Sequence, residues 1–258
     1  EPEQAQLPMI IGADGVTVRI RPNEGNPDSQ SEGKEVKIGV VARLGEKKNK
    51  KGETVTKIER KRVVGVLGNI DEFAPLFRLE ALRQGVHITD VVVWISDGGV
   101  GFWRVFREQF ALWAQGVLDF YHAAQNIWKA AETWLDDDPE EARRWFEHLR
   151  HILRHGNIPQ VLCEILKPLL DLNLPKKDRR ALNNLFNYIS EHHEHMQYAH
   201  LKECGIPIGS GIIESACKWV VTQRFKCVGM RWSRKGLQNL LNLRLAWING
   251  RFASISFC

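Results

Sequence analysis

No apolar run in these 258 residues approaches the roughly 20 needed to cross a bilayer, so no helical membrane span and no membrane partner is expected. A secretory signal is missing as well. The opening EPEQAQLP is acidic and polar rather than a basic segment leading into an apolar one. It also lacks an initiator Met and reads as a linker cut from something longer. Cysteine is scarce and unpaired in spacing. Cys163, Cys204, Cys217, Cys227 and Cys258 are five, an odd number, which argues against a disulfide framework and a zinc knuckle and for a reducing, cytoplasmic setting. Neither an internal repeat nor a low-complexity tract is present, and strand signals cease after about residue 123.

What is there is the composition of a globular chain, 43% hydrophobic and 26% charged. The net charge of +5 is unevenly spread. Residues 201–258 hold nine Lys/Arg against Glu203 and Glu214, while residues 1–200 hold 27 against 29 acids. A basic carboxyl-terminal region points to a polyanion, nucleic acid being the default partner.

The chain is organised around DVVVWISDGGVGFWRVFREQFALWAQGVLDFYH, residues 90–122. A short apolar run closed by Asp-Gly-Gly reads as a buried strand with Asp97 at its carboxyl end. Phe102, Trp103, Phe106, Phe110 and Trp113 then recur at helical spacing, and GVLDF follows as another strand, with Asp119 at its end and His122 three residues on. Upstream, PMIIGADGVTVRIRP reads as a strand with Asp14 in its middle. A polar loop, NEGNPDSQSEGK, separates it from two strands joined by the hairpin-like KKNKKG, and NIDEFAPLFRLEALRQG has helical periodicity. This order predicts an α/β fold with a mixed five-stranded sheet in the order 3-2-1-4-5.

Residues 126–205 are helical in pattern, broken at Asp138-Pro139, Gly156 to Pro159 and Leu174-Pro175, and read as an all-helical insertion with Trp128, Trp134 and Trp145 in its core. The expected division is therefore 1–125 as the first part of the core, 126–205 as the insertion, and 206–258 as its return. In the last part, Ser210 is placed to cap the helix that carries Glu214.

If the Asp14 and Asp97 strands are neighbours, their carboxylates converge, and the returning helix can bring Glu214 beside them. Such clustered carboxylates repel one another, and hard divalent cations relieve that repulsion. Two ions of Mg²⁺, or Mn²⁺ in its place, suit phosphoryl transfer. Taken singly, Asp14-Gly15 and Asp97-Gly98 are also ordinary turn dipeptides, and Glu214 has Lys218 at i+4 as an ion-pair partner.

The array GADG, VVVWISDGG, LDFYH and IGSGIIESACKWVVTQRFKCVGMRWS resembles the catalytic domain of DDE transposases of the ISKra-type insertion-sequence group, related to Mutator-like elements, over nearly the whole chain. The resemblance implies an RNase H-like fold with a helical insertion. It implies Asp14, Asp97 and Glu214 as the catalytic, metal-holding residues, and transposon-end and target DNA as substrates. It further implies a homo-oligomer on DNA in the nucleoid of a prokaryotic cell. An N-terminal DNA-recognition region is implied too, which these residues do not include. Asp119 and His122 match a motif of auxiliary role, in which Asp119 caps a helix and positions His122, or His122 contacts a phosphate. Lys218, Arg224, Lys226, Arg231 and Arg234 suit phosphate contacts, and Trp232 suits either base stacking or the core.

Two rival readings exist. A domesticated or decayed DNA-binding protein keeps the fold and loses catalysis. A nucleotide- or S-adenosylmethionine-binding α/β enzyme matches VVVWISDGGVG with Asp119 22 residues beyond Asp97, and requires further parallel strands after the motif.

Overall fold

The computed structural model describes residues 7–21 and 31–254. Most of the opening segment, most of the polar loop after the first strand, and Cys258 lie outside the described residues.

In chain order the elements are β1 (Met9–Ile20), β2 (Glu32–Lys48), β3 (Thr54–Leu67), α1 (Ile70–Arg83), β4 (Val92–Ser96) and α2 (Val100–Val105). The last runs on as a π turn, Phe106–Phe110, before β5 (Gln115–Leu118). Helices α3 (Phe120–Trp134), α4 (Pro139–Arg154), α5 (Ile158–Leu169), α6 (Lys176–His192) and α7 (Tyr198–Glu203) follow. The chain closes with α8 (Gly211–Cys217), a second π turn (Lys218–Thr222), α9 (Gln223–Phe225) and α10 (Arg234–Ile248).

The strands form one mixed sheet in the order β3-β2-β1-β4-β5, the RNase H-like arrangement expected from the sequence. β1 pairs antiparallel with β2 and parallel with β4. No strand follows Leu118 among the described residues, so the further parallel strands that the S-adenosylmethionine reading needs are missing.

The chain divides into two compact units, residues 1–116 with 210–258, and residues 117–209. In the first, each face of the sheet has its own core. On one, Phe77, Trp94, Phe106 and Phe110 form an aromatic cluster with ring centroids 5.2–6.0 Å apart. Each such fully buried side chain contributes on the order of 2–3 kcal/mol. On the other, Val16, Val18 and Ile20 of β1 and Val36, Ile38 and Val40 of β2 pack on Ile213, Cys217, Val220, Phe225, Leu237 and Leu241. The alternation along β1 produces this split, because its even-numbered residues point to the α8 side.

α1 starts at a capping box, in which Asn69 accepts from the Glu72 amide and Glu72 accepts from that of Asn69. The helix from Val100 departs from a plain α-helical reading. Its π turn adds a residue, Ala111 N–H donating to Phe106 C=O, so the apolar face shifts beyond Phe110. Trp113 is consequently half-exposed, with the Arg78 guanidinium 5.5 Å from its ring, instead of completing the buried stripe.

The second unit is all-helical. Asp138 caps α4 with Pro139 in its first turn, and Asn157 caps α5. Trp128 meets Phe146 edge-on at 5.2 Å and Trp134 meets Trp145 at 5.3 Å, so these tryptophans serve packing inside this unit.

Candidate functional site

The β1–β4 ladder runs from Met9↔Val92 to Gly12↔Ile95, a constant offset of 83. Asp14 follows that ladder on β1 and Asp97 follows it on β4, near enough for the Asp97 charge to act on Asp14. Asp14 shares the face of β1 on which Val16, Val18 and Ile20 pack against α8. Asp97 sits just past the end of β4, its Oδ1 accepting the Gly99 amide at 3.2 Å, and it is half-buried. Asp14 is half-buried, and its Oδ1 accepts from its neighbour Gly15 N–H at 2.6 Å.

Glu214 arrives on the same side through a close helix approach. A Cβ at Gly12 would lie 2.4 Å from the Ile95 carbonyl oxygen and 2.8 Å from Ile213 Cδ1, so only glycine lets α8 settle onto β1 there. Glu214 is exposed, and its Oε1 accepts from the Ser210 hydroxyl at 2.8 Å. Two sequence expectations change here. Ser210 occupies the cap position of α8 but makes no side-chain cap bond, because its hydroxyl is directed to Glu214. Glu214 in turn pairs with that hydroxyl rather than with Lys218.

The electrostatics register the cluster. The Asp14 carboxyl is held above the usual carboxylate range, first by burial and then by the charges of Asp97 and Glu214, against the opposing bonds from Gly15 and Cys217. Cys217, three residues after Glu214, is buried near Asp14. Burial and then the Asp14 and Glu214 charges push that thiol well above its ordinary range, so it stays a neutral thiol and not a nucleophile. The donor set is three carboxylates, which suits a hard cation. Among the described residues, no group of three His, Cys, Asp or Glu side chains is arranged to hold a metal ion.

Lys218, Arg224, Lys226, Arg231 and Arg234 are all exposed. The segment before α10 lies against the end of β1, with Arg21 N–H donating to Trp232 C=O at 2.7 Å and Trp232 N–H donating to Arg19 C=O at 3.1 Å. This groups Lys226 and Arg231 with Arg19 around one cleft. Trp232 is half-buried, its ring edge-on to Phe225 at 5.3 Å and its Nε1–H donating to Phe225 C=O at 3.1 Å. Of its two sequence readings, packing is the one this geometry favours.

Asp119 and His122 belong to the second unit. Asp119 is buried and caps α3, accepting from the Tyr121 and His122 amides at 2.6 and 3.2 Å. The bond to His122 is therefore made through the backbone.

Sequence reasoning missed several groups. The Ser210–Glu214 bond and the burial of Cys217 near Asp14 are among them. So are Arg19 and Arg21, for which the polar positions alternating with Val18 and Ile20 at the end of the strand were the available signal. Trp219, on the π turn, was missed too. It is partly exposed, lies 5.7 Å from Trp247, and has the Arg244 guanidinium 5.6 Å and the Lys61 ammonium 5.9 Å from its ring.

Compared with family models and with curated proteins, the chain matches none. Among solved structures it is similar to the Drosophila P element transposase strand transfer complex, at 11% identity and a TM-score of 0.31, over 98% of this chain and 66% of that one. Among the described residues, no helix is long and apolar enough to cross a membrane.

Proposed function

We propose that this chain is the catalytic domain of a DDE-type transposase of the ISKra-type group, cutting transposon-end DNA and joining it to target DNA. What supports the reading is the strand order of the sheet, with Asp14 on β1, Asp97 just past β4 and Glu214 on the helix that packs against β1 at Gly12. In the reaction, water attacks a phosphodiester at the transposon end and displaces a 3′-hydroxyl. That hydroxyl then attacks a phosphodiester of the target and displaces its 3′ oxygen.

Asp14, Asp97 and Glu214 would hold two Mg²⁺ ions, or Mn²⁺ in their place. Bound there, such ions lower the pKa of the attacking oxygen and stabilise the leaving one. The chain's own groups do the rest. Gly15 N–H orients the Asp14 carboxylate, Gly99 N–H orients that of Asp97, and the Ser210 hydroxyl holds Glu214. Lys218, Arg224, Lys226, Arg231 and Arg234 would neutralise DNA phosphates. Partner DNA and assembly as a homo-oligomer on it belong to the same proposal.

Incubation of the protein with transposon-end duplexes and a plasmid target, with and without Mg²⁺ or Mn²⁺, tests this. Cation-dependent nicking and joining, abolished by Asp97→Asn with duplex affinity retained, is the expected result. Cation-independent activity, or activity unchanged in Asp97→Asn, would overturn it. DNA binding without any cation effect on the protein would favour the non-catalytic rival.

A further inference from the structure

The basic character of the chain is not confined to its carboxyl-terminal end. Residues 46–62, covering the β2–β3 hairpin, hold eight Lys/Arg against Glu46, Glu53 and Glu59. Its excess alone equals that of the whole protein.

The hairpin also leaves the body of the sheet. β1 meets β2 only as far as Met9↔Arg43, whereas the β2–β3 ladder continues to Lys48↔Thr54. Beyond Leu44 the two strands pair only with each other among the described residues. Four rungs, Gly45↔Lys57 to Lys48↔Thr54, at about 3.4 Å each make an overhang of about 14 Å. The register shifts between Arg43 and Leu44, at the point of departure. A bulge there sharpens twist and bends the ribbon relative to the sheet.

Its tip is built rather than loose. Asn49 Oδ1 accepts the amides of Lys51 and Glu53 at 2.8 and 3.0 Å, Gly52 N–H donates to Asn49 C=O, and Gly52 takes the left-handed φ of 80° that the turn requires. The acids are partly engaged. Glu53 accepts from the Asn49 amide at 2.7 Å, and Glu59 pairs with Lys57 at 3.1 Å. Lys47, Lys48, Lys50 and Lys51 are exposed and have no acidic partner among the described residues. Lysines on a ribbon edge also discourage strand-to-strand aggregation, but one or two suffice for that, and here four surround a fixed tip.

We infer that this ribbon is a second nucleic-acid contact, a basic β-hairpin that straddles or enters the major groove of duplex DNA. A two-stranded ribbon fits that groove, and its lysines would hold the flanking phosphates. The inference rests on reading the chain as a DNA enzyme. It adds a contact separate from the Lys226 and Arg231 cleft.

Fluorescence anisotropy with a 25-base-pair duplex, titrated across salt concentration, tests it on the full chain. Four proteins are compared: wild type, a ribbon variant (Lys47, Lys48, Lys50 and Lys51 each →Gln), a cleft variant (Lys226→Ala with Arg231→Ala), and a charge-matched control (Arg143, Arg144, Lys176 and Arg180 each →Gln). All should keep the wild-type melting temperature within about 2 °C, since exposed surface changes typically alter stability by under about 0.5 kcal/mol. The ribbon variant should lose at least tenfold in affinity at 0.1 M salt, with its salt slope smaller by about 3–4, at roughly 0.9 per phosphate contact. The control should lose less than threefold. Unchanged affinity and slope in the ribbon variant, with loss in the cleft variant, would overturn the ribbon and leave the DNA reading standing. Equal losses in ribbon variant and control would overturn it as a mere net-charge effect. Absence of duplex binding by the wild type would instead count against the DNA reading itself.

Discussion

Asp14 lies on β1 and Asp97 just past the end of β4, two strands paired in parallel, and across 83 residues of sequence the Asp97 charge acts on the Asp14 carboxyl. Their proximity has a cost in the absence of cations. The Asp14 carboxyl, raised by burial and then by the Asp97 and Glu214 charges, is easier to fold protonated than ionised. Its contribution to stability is thus fully present below the ordinary Asp pKa of 3.8 and is lost as pH rises through the elevated folded value. Asp14→Asn should therefore raise the melting temperature at pH 7 in chelator. The gain should vanish toward pH 3.5. Thermal unfolding across pH measures this, and a variant that is less stable at pH 7 would contradict it.

Gly12 sets the distance between β1 and the Glu214 helix. Gly12→Ala puts a methyl group 2.4 Å from a backbone oxygen, which flexible side chains cannot relieve. A loss of about 1–3 kcal/mol in urea unfolding is expected, as for overpacked cores. Divalent cations should also stabilise the variant less than wild type, because Glu214 is displaced. A stable variant with normal cation response would mean that α8 does not rest on Gly12.

Ser210 competes with a cation for Glu214. Ser210→Ala removes a bond worth about 1 kcal/mol, so Mn²⁺ affinity measured by calorimetry should tighten about fivefold. Weaker binding would show that the hydroxyl supports the cation-holding position of Glu214 instead of opposing it.

Much of this was legible in the sequence, for physical reasons that differ by element. The Asp-Gly-Gly stop after a β-branched run marked the end of β4, and the alternation in β1 fixed which of its residues face α8. Together they located Asp14 and Asp97. The Pro-containing helix starts at Asp138 and Asn157 were equally plain. Ser210 misled, because Ser before a helix ordinarily caps it, and only coordinates show its hydroxyl bonded to Glu214. The π turns were invisible, since one extra residue in a helix leaves no residue-type signature. Without them neither the exposure of Trp113 nor the Trp219–Arg244 contact follows. The basic hairpin was read as a connection, because charge counts along the chain do not show that a ribbon projects.

The cleft beside β1 gives a further test. In the cleft variant Lys226→Ala with Arg231→Ala, the salt dependence of duplex binding should fall by about 0.9 for each side chain that meets a phosphate. An unchanged slope would exclude these residues from the DNA path.

The most direct test of the central claim is anomalous diffraction from crystals of this chain grown with Mn²⁺. The account expects two cation peaks flanked by Asp14, Asp97 and Glu214, with the Glu214 carboxylate turned off Ser210 and toward them. Peaks elsewhere, or a Glu214 that stays on Ser210 with no cation between the two aspartates, would contradict it.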